Sequence, residues 1–133
     1  MDLGRREFLV GAAALAVGGA SGSTTPFTAP RMYGLIGKMT AVPGQRDALV
    51  TILLEGVSGM PGCLSYVVAT DPSDADAIWV SEVWDGEASH KASLALPSVR
   101  EAIGRGRPLI AGFGPSTVTT PVGGHGLTPP TAR

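Results

Sequence analysis

Residues 78–94 decide the fold, and they read Ile78-Trp-Val-Ser-Glu-Val-Trp84-Asp-Gly-Glu-Ala-Ser-His90-Lys-Ala-Ser93-Leu94. The first half predicts a strand over 77–84, because residues on one face alternate with residues on the other. Asp85-Gly86 breaks this strand, and residues 87–94 predict a helix that carries a histidine. A strand that passes directly into a helix with a titratable side chain forms a corner, and we expect a functional site beside it.

The sequence as a whole predicts elements in the order β-α-β-β-α-β, with the second helix broken in two. Strands are expected over 32–41, 63–70, 77–84 and 109–119, with a kink in the last at 112–115, and helices over 45–58, 87–94 and 97–104. This order is typical of the ferredoxin-like α+β fold, an antiparallel sheet with helices on one face. The strand over 77–84 is apolar on both faces, so we expect the open face of the sheet to be buried in a dimer.

The N-terminal segment 1–20 has the features of a twin-arginine export signal. Arg5-Arg6 is followed by Phe8-Leu9 and by an apolar run that ends in small residues. This run is too short to span a bilayer, which requires about 20 apolar residues. We therefore expect export to the periplasm or the exterior by the twin-arginine machinery; the alternative is an ordinary Gly/Ala-rich helix. A linker over 21–30, a domain over 31–119 and a Gly/Pro/Thr-rich tail over 120–133 complete the organisation.

Composition excludes several classes of protein. The net charge of −1 gives no basic surface for nucleic acid. A single cysteine, Cys63, cannot form an internal disulfide, and with only two histidines the chain has no plausible set of metal ligands. Two phosphate-binding glycine motifs are absent as well, the G-x-G-x-x-G loop after a strand and the P-loop.

Several short segments resemble the antibiotic biosynthesis monooxygenase family, the quinol-monooxygenase-like group of dimeric α/β-barrel proteins. They are Val42-Pro43-Gly44, Met60-Pro61-Gly62-Cys63, Glu82-Val83-Trp84 with His90-Lys-Ala-Ser-Leu94, and Pro97-Ser-Val99-Arg100. The resemblance implies a cofactor-independent oxidation of a quinol or polycyclic phenol by O₂. In such a reaction a deprotonated phenol reduces oxygen itself, and the protein supplies an apolar pocket, a base and donors to the anion.

Two residues are candidates for catalysis, and four others are candidates for substrate binding. His90 has an ordinary pKa suited to proton transfer near neutrality, and Ser93 lies one helical turn beyond it. Either one could instead be structural, His90 as a cap on its short helix and Ser93 as a small packing residue. The binding candidates are Trp84, Tyr66, Glu82 and His125.

Each binding candidate also has a plainer interpretation. Trp84 could simply be core, and Tyr66 could pack across the hairpin. Glu82, if buried, requires a partner, for which Arg46, Arg100 or Lys38 could serve. His125 lies between glycines that would allow the tail to fold over a pocket, although a mobile tail histidine is the alternative.

Three hypotheses for the function stay open. The first is the monooxygenase, and the second is an exported dimeric protein that binds a small aromatic molecule without turnover. The third is a related stress protein whose pocket is collapsed. Haem-degrading relatives resemble the same fold but use Asn, Trp and His together; this chain has no asparagine, and the tryptophan position reads Ser93. Haem oxygenation is therefore not expected.

Overall fold

The computed structural model describes residues 31–127, which form a four-stranded sheet and three α-helices. In chain order the elements are β1 (Tyr33–Ala41), α1 (Arg46–Gly56), β2 (Cys63–Thr70), β3 (Ala77–Trp84), α2 (Glu87–Ser93), α3 (Pro97–Gly106) and β4 (Ile110–Thr119). A short 3-10 helix, Arg107–Leu109, precedes β4. The predicted ferredoxin-like α+β fold is confirmed, including the break in the second helix, where Pro97 occupies the first turn of α3.

The sheet has the strand order β2-β3-β1-β4, and all neighbouring strands are antiparallel. Alternation along β1 and β3 places Leu35, Met39, Ile78 and Val80 in the core, each at most 1% exposed. Leu49 and Ile52 of α1 are buried as well. The helix face of the sheet therefore provides the apolar surface on which the candidate site is built.

The predicted kink in β4 is confirmed by its pairing with β1. The register shifts between Gly37 and Met39 and again between Thr40 and Ala41. Such irregularities are where a strand tolerates a proline, and Pro115 lies within this part of β4. The interior glycine Gly34 of β1 marks a close approach, because a side chain there would collide with Thr119 and Pro121.

The turn before β2 brings that strand against the start of α2. Gly62 has φ +83°, a conformation that favours glycine, and its carbonyl accepts a hydrogen bond from the Asp85 N–H at 2.8 Å. A Cβ at Gly62 would overlap the side chain of Ser89 in α2. This contact fixes the strand-to-helix corner at 85–86 on which His90 depends.

The predicted signal segment over 1–20, the linker over 21–30 and the last residues of the tail lie outside the described residues. Within 31–127, no helix is long and apolar enough to cross a membrane.

Candidate functional site

A cavity of about 70 Å³ lies between the helix face of the sheet and the three helices. Most of its wall is apolar, with Met60, Leu94 and Val99 among the contributing side chains. Five of the six sequence-predicted site residues also line it: Tyr66, Glu82, Trp84, His90 and Ser93. The collapsed-pocket hypothesis would be supported by a structure with no cavity beside Trp84. This structure has a cavity there.

Glu82 is the buried acid of the cavity. It is 4% exposed, and its Oε1 accepts a hydrogen bond of 2.9 Å from the indole N–H of Trp84 two residues along β3. Burial raises the pKa of Glu82 to about 7, although the Trp84 hydrogen bond opposes the shift. The carboxyl group is therefore close to half ionised at neutral pH.

None of the three cations considered as partners has an observed bond to Glu82. Arg46 donates to backbone carbonyls of the β2–β3 turn, including that of Asp74 at 2.9 Å. Lys38 lies 3.9 Å from Asp71, and Arg100 is exposed. The expectation of a cationic partner is wrong for Arg46 and Lys38, because the turn that follows β2 engages both of them.

His90 lies on α2 with its ring against the aromatic residues of the site. It is 2% exposed, and its Nε2 is 3.9 Å from Glu82 Oε1. Its ring centroid is 5.4 Å from that of Trp84, edge to face, and 5.3 Å from that of Tyr33. Burial, helped by the charge of Lys91, lowers the pKa of His90 to about 4. The imidazole is therefore neutral at physiological pH.

Ser93 and Tyr66 belong to the polar part of the wall, to which Arg107 also contributes. Ser93 is buried, and its hydroxyl donates to the carbonyl of His90 at 2.7 Å, a back-bond within one helical turn. Tyr66 is half-buried, and burial raises the pKa of its phenol, with Glu82 adding to the shift. Both hydroxyls therefore stay protonated near neutrality.

His125 is the one predicted site residue that the structure does not bring to the cavity. It is exposed in a turn of the tail, whose chain crosses Gly34 at Pro121 after leaving β4. Gly34 lies on the sheet face opposite the helices, since its strand neighbours Tyr33 and Leu35 point into the core. The tail therefore begins on the open face of the sheet.

Tyr33 belongs to the site, although the sequence patterns above do not single it out. It is 6% exposed, stands opposite Trp84 in the β1–β3 register and contacts the His90 ring. Burial raises the pKa of Tyr33 to about 12, with further contributions from Glu87 and Glu82. Strand alternation could have identified Tyr33 as the first core-facing residue of β1. Its position opposite Trp84 depends on the β1–β3 register, which the sequence alone does not give.

The described residues offer no metal centre. Within 31–127, no group of three or more His, Cys, Asp or Glu side chains lies close enough together to hold a metal ion. The chemistry that the cavity supports is proton transfer at Glu82 and hydrogen bonding at His90.

The sequence profile of antibiotic biosynthesis monooxygenases matches residues 32–105 of the chain. Among solved structures, the chain is similar to a candidate antibiotic biosynthesis monooxygenase from Chloroflexus aurantiacus, with 69% identity and a TM-score of 0.72; the match covers 73% of this chain and 99% of that one.

More distant structures share the fold. A candidate monooxygenase of the same family from Caulobacter crescentus is 17% identical with a TM-score of 0.59, covering 68% of this chain and 88% of that one. Another from Nitrosomonas europaea is 12% identical with a TM-score of 0.61, covering 74% and 96%. None of the curated proteins matches the chain. The profile match and the Chloroflexus structure together show that the chain belongs to the antibiotic biosynthesis monooxygenase family.

Proposed function

We propose that this protein is a cofactor-independent monooxygenase that oxidises a quinol or a polycyclic phenol with O₂. The observation that carries the proposal is the pairing of Glu82 and His90 in the wall of an apolar cavity, with Oε1 and Nε2 3.9 Å apart. This separation is too long for a direct hydrogen bond, and it allows one ligand oxygen to contact both groups.

A phenolic hydroxyl at that position would donate to Glu82 and accept from His90. Glu82 then acts as the base, since a pKa of about 7 matches a proton acceptor at neutral pH. His90 was the expected proton-transfer group, but a pKa of about 4 makes its neutral imidazole a weak base. It is better suited to stabilise the phenolate by donating an N–H.

The overall reaction balances without any further reductant. A hydroquinone and O₂ yield a hydroxyquinone and water: the substrate loses four electrons and O₂ gains four. One oxygen atom becomes a hydroxyl group on a ring carbon, and the other leaves as water. Glu82 accepts a phenolic proton, and the resulting electron-rich anion is the species that reduces oxygen. Trp84 and the apolar wall hold the ring.

Oxygen consumption with a panel of hydroquinones and phenols of one to three rings tests this proposal. Uptake above the uncatalysed rate is expected for at least one class of substrate, and His90→Ala should lower it. Exposed Glu101 on α3 provides a control, because Glu101→Gln should leave the rate unchanged. No uptake with any member of the panel contradicts the proposal.

Binding without turnover would identify the second hypothesis, the aromatic-binding protein. The chain has two tryptophans, of which Trp84 lines the cavity and Trp79 donates to Asp71 at 3.0 Å in the β2–β3 hairpin. In Trp79→Phe, fluorescence therefore reports on the cavity alone. Quenching by a quinol that is never consumed would favour a binding protein over an enzyme.

We also propose that two copies associate through the open face of the sheet. Ile36, Ser81 and Val67 form one row across β1, β3 and β2 on that face. Ile36 is 39% exposed and Val67 is 52% exposed, so both ends of this row present apolar side chains to solvent. A second copy of the same face would remove this row from water.

A further inference from the structure

Tyr33 contacts the His90 ring without lining the cavity. His90 and Trp84 both line the cavity, whereas Tyr33 does not. The Tyr33 and His90 rings are nevertheless in contact, with centroids 5.3 Å apart and planes tilted by 33°. The imidazole therefore contacts both the cavity, where Glu82 lies, and a buried tyrosine outside the cavity lining.

At Tyr33, His90 and the neighbouring Glu87, three buried polar atoms lack a hydrogen-bond partner within residues 31–127. They are Tyr33 Oη, His90 Nδ1 and Glu87 Oε2. Tyr33 is 6% exposed and His90 is 2% exposed, so neither side chain reaches solvent by itself. Buried polar groups are rarely left unpaired, and a buried water typically bonds to about three of them.

Glu87 connects this group to the protein surface. It is the first residue of α2 and stands three residues before His90, so both side chains lie on one face of the helix. Its side chain is 30% exposed, and Oε2 is 3.9 Å from Lys91 Nζ. Glu87 is also close enough to Tyr33 for its charge to help raise the pKa of the phenol.

We propose that Tyr33, His90 and Glu87 hold a water molecule that links the buried Glu82–His90 pair to solvent at the start of α2. Protons could then reach and leave the site behind a bound substrate that fills the cavity. Tyr33 and Glu87 are positioning residues in this arrangement, since they act through His90.

The need for such a route rests on the proposed function. Oxidation of a hydroquinone to a hydroxyquinone removes two O–H protons and one ring hydrogen. Two of these end in water and one in the new hydroxyl group. The Glu82 carboxylate holds only one proton at a time, so a path to solvent lets the others leave and return during one turnover.

The arrangement also determines which nitrogen of His90 carries the proton. The bound water, ordered by the Tyr33 hydroxyl, donates to Nδ1, and the proton therefore resides on Nε2, which faces Glu82. This is the tautomer that a phenolate between Glu82 and His90 requires. The inference can thus be tested on the protein without substrate.

Nitrogen-15 NMR of the full chain labelled at histidine measures this tautomer directly. The chain has two histidines, and His125→Ala assigns the remaining signal to His90. The wild type should show the Nε2–H form. Tyr33→Phe and Glu87→Ala should each shift the ratio toward Nδ1–H by about fivefold, the effect of one ordinary hydrogen bond on an equilibrium.

Glu101→Ala, on the exposed part of α3, is the matched control and should leave the ratio unchanged. A wild-type Nδ1–H form, or unchanged ratios in folded Tyr33→Phe and Glu87→Ala, overturns the inference. If Tyr33→Phe fails to fold, the partly exposed Glu87 decides the result. A tautomer shift without O₂ uptake would support the water site and contradict the proposed function. O₂ uptake without a tautomer shift would support the proposed function and contradict the water site.

Discussion

Glu82 and His90 are two buried titratable groups whose pKa values are shifted in opposite directions. Burial disfavours the charged form of each, so it raises the pKa of Glu82 to about 7 and lowers that of His90 to about 4. Both groups are therefore largely neutral near pH 5 to 6. The pair differs from a buried salt bridge, because both side chains are neutral in this range and neither requires an oppositely charged partner in the protein interior.

These shifts make opposite contributions to the pH dependence of stability. Between about 4.5 and 7 the unfolded state releases the Glu82 proton that the folded state retains, so stability falls as pH rises. Between about 4 and 6.5 the unfolded state protonates His90 while the folded state does not, so stability rises with pH. In the wild type the two contributions largely cancel where these windows overlap.

Single substitutions should separate the two contributions. Glu82→Gln retains only the contribution of His90. The free energy of unfolding of this variant should therefore rise from pH 4 to pH 6.5 by up to about 3 kcal/mol relative to the wild type. His90→Gln leaves that of Glu82, and its stability should fall by a similar amount from pH 4.5 to pH 7. Urea unfolding across this range measures both. Parallel curves for the two variants would refute the pKa assignments.

At the residue scale, sequence patterns predict which residues belong to the site better than they predict which of these residues are in contact. The shared face of Glu82 and Trp84 follows from strand alternation. The approach of His90 to Glu82 does not, because it depends on the angle between β3 and α2. Tyr33 is further away in sequence, and only the β1–β3 register joins it to the site.

The packing of α1 against α3 depends on the small size of one residue at the end of α1. A Cβ at Gly56 would lie 2.6 Å from the Cβ of Ala102, closer than two carbon atoms can approach. Both residues line the cavity, so this helix contact also sets the width of its wall. Gly104, within α3, has no atom within 4 Å of the corresponding position.

These two glycines should therefore respond to alanine in opposite ways. Gly56→Ala forces α1 and α3 apart and should cost about 1–3 kcal/mol, as overpacking typically does. Gly104→Ala adds a better helix former in open space and should stabilise the protein by up to about 1 kcal/mol. Thermal unfolding compares them directly. Equal effects of the same sign would contradict this account of the helix interface.

The elements themselves were largely predictable because local signals agree with the final packing. Alternation identified the strands, Pro97 marked the start of α3, and the glycines around 112–114 marked the kink in β4. Helix ends were less exact: α1 ends at Gly56 rather than at 58. Gly56 is the last residue on the buried, apolar face of α1. The chain after it turns toward β2.

Within residues 31–127, the sheet has one face covered by helices and another that is partly apolar and open. If two copies associate through the open face, a charge at the β2 end of the row formed by Ile36, Ser81 and Val67 should separate them. Val67→Glu should therefore yield a monomer in sedimentation velocity, whereas the wild type should be a dimer. Leu54 on α1 is a matched control, being 51% exposed against 52% for Val67.

Leu54→Glu should leave the oligomeric state unchanged, because α1 lies on the opposite side of the sheet. A wild-type monomer at all concentrations would exclude the dimer. Loss of association in both variants would indicate a general effect of the added charge and not a specific interface.

The most direct test of the account is the pH profile of O₂ uptake by the wild type and Glu82→Gln, with the uncatalysed rate subtracted at each pH. A base must be ionised to act, so kcat/KM of the wild type should rise through a midpoint near pH 7. In Glu82→Gln the rate should fall by about 10²–10⁴-fold and lose that step. A variant that keeps the wild-type rate and midpoint would contradict the assignment of Glu82 as the base.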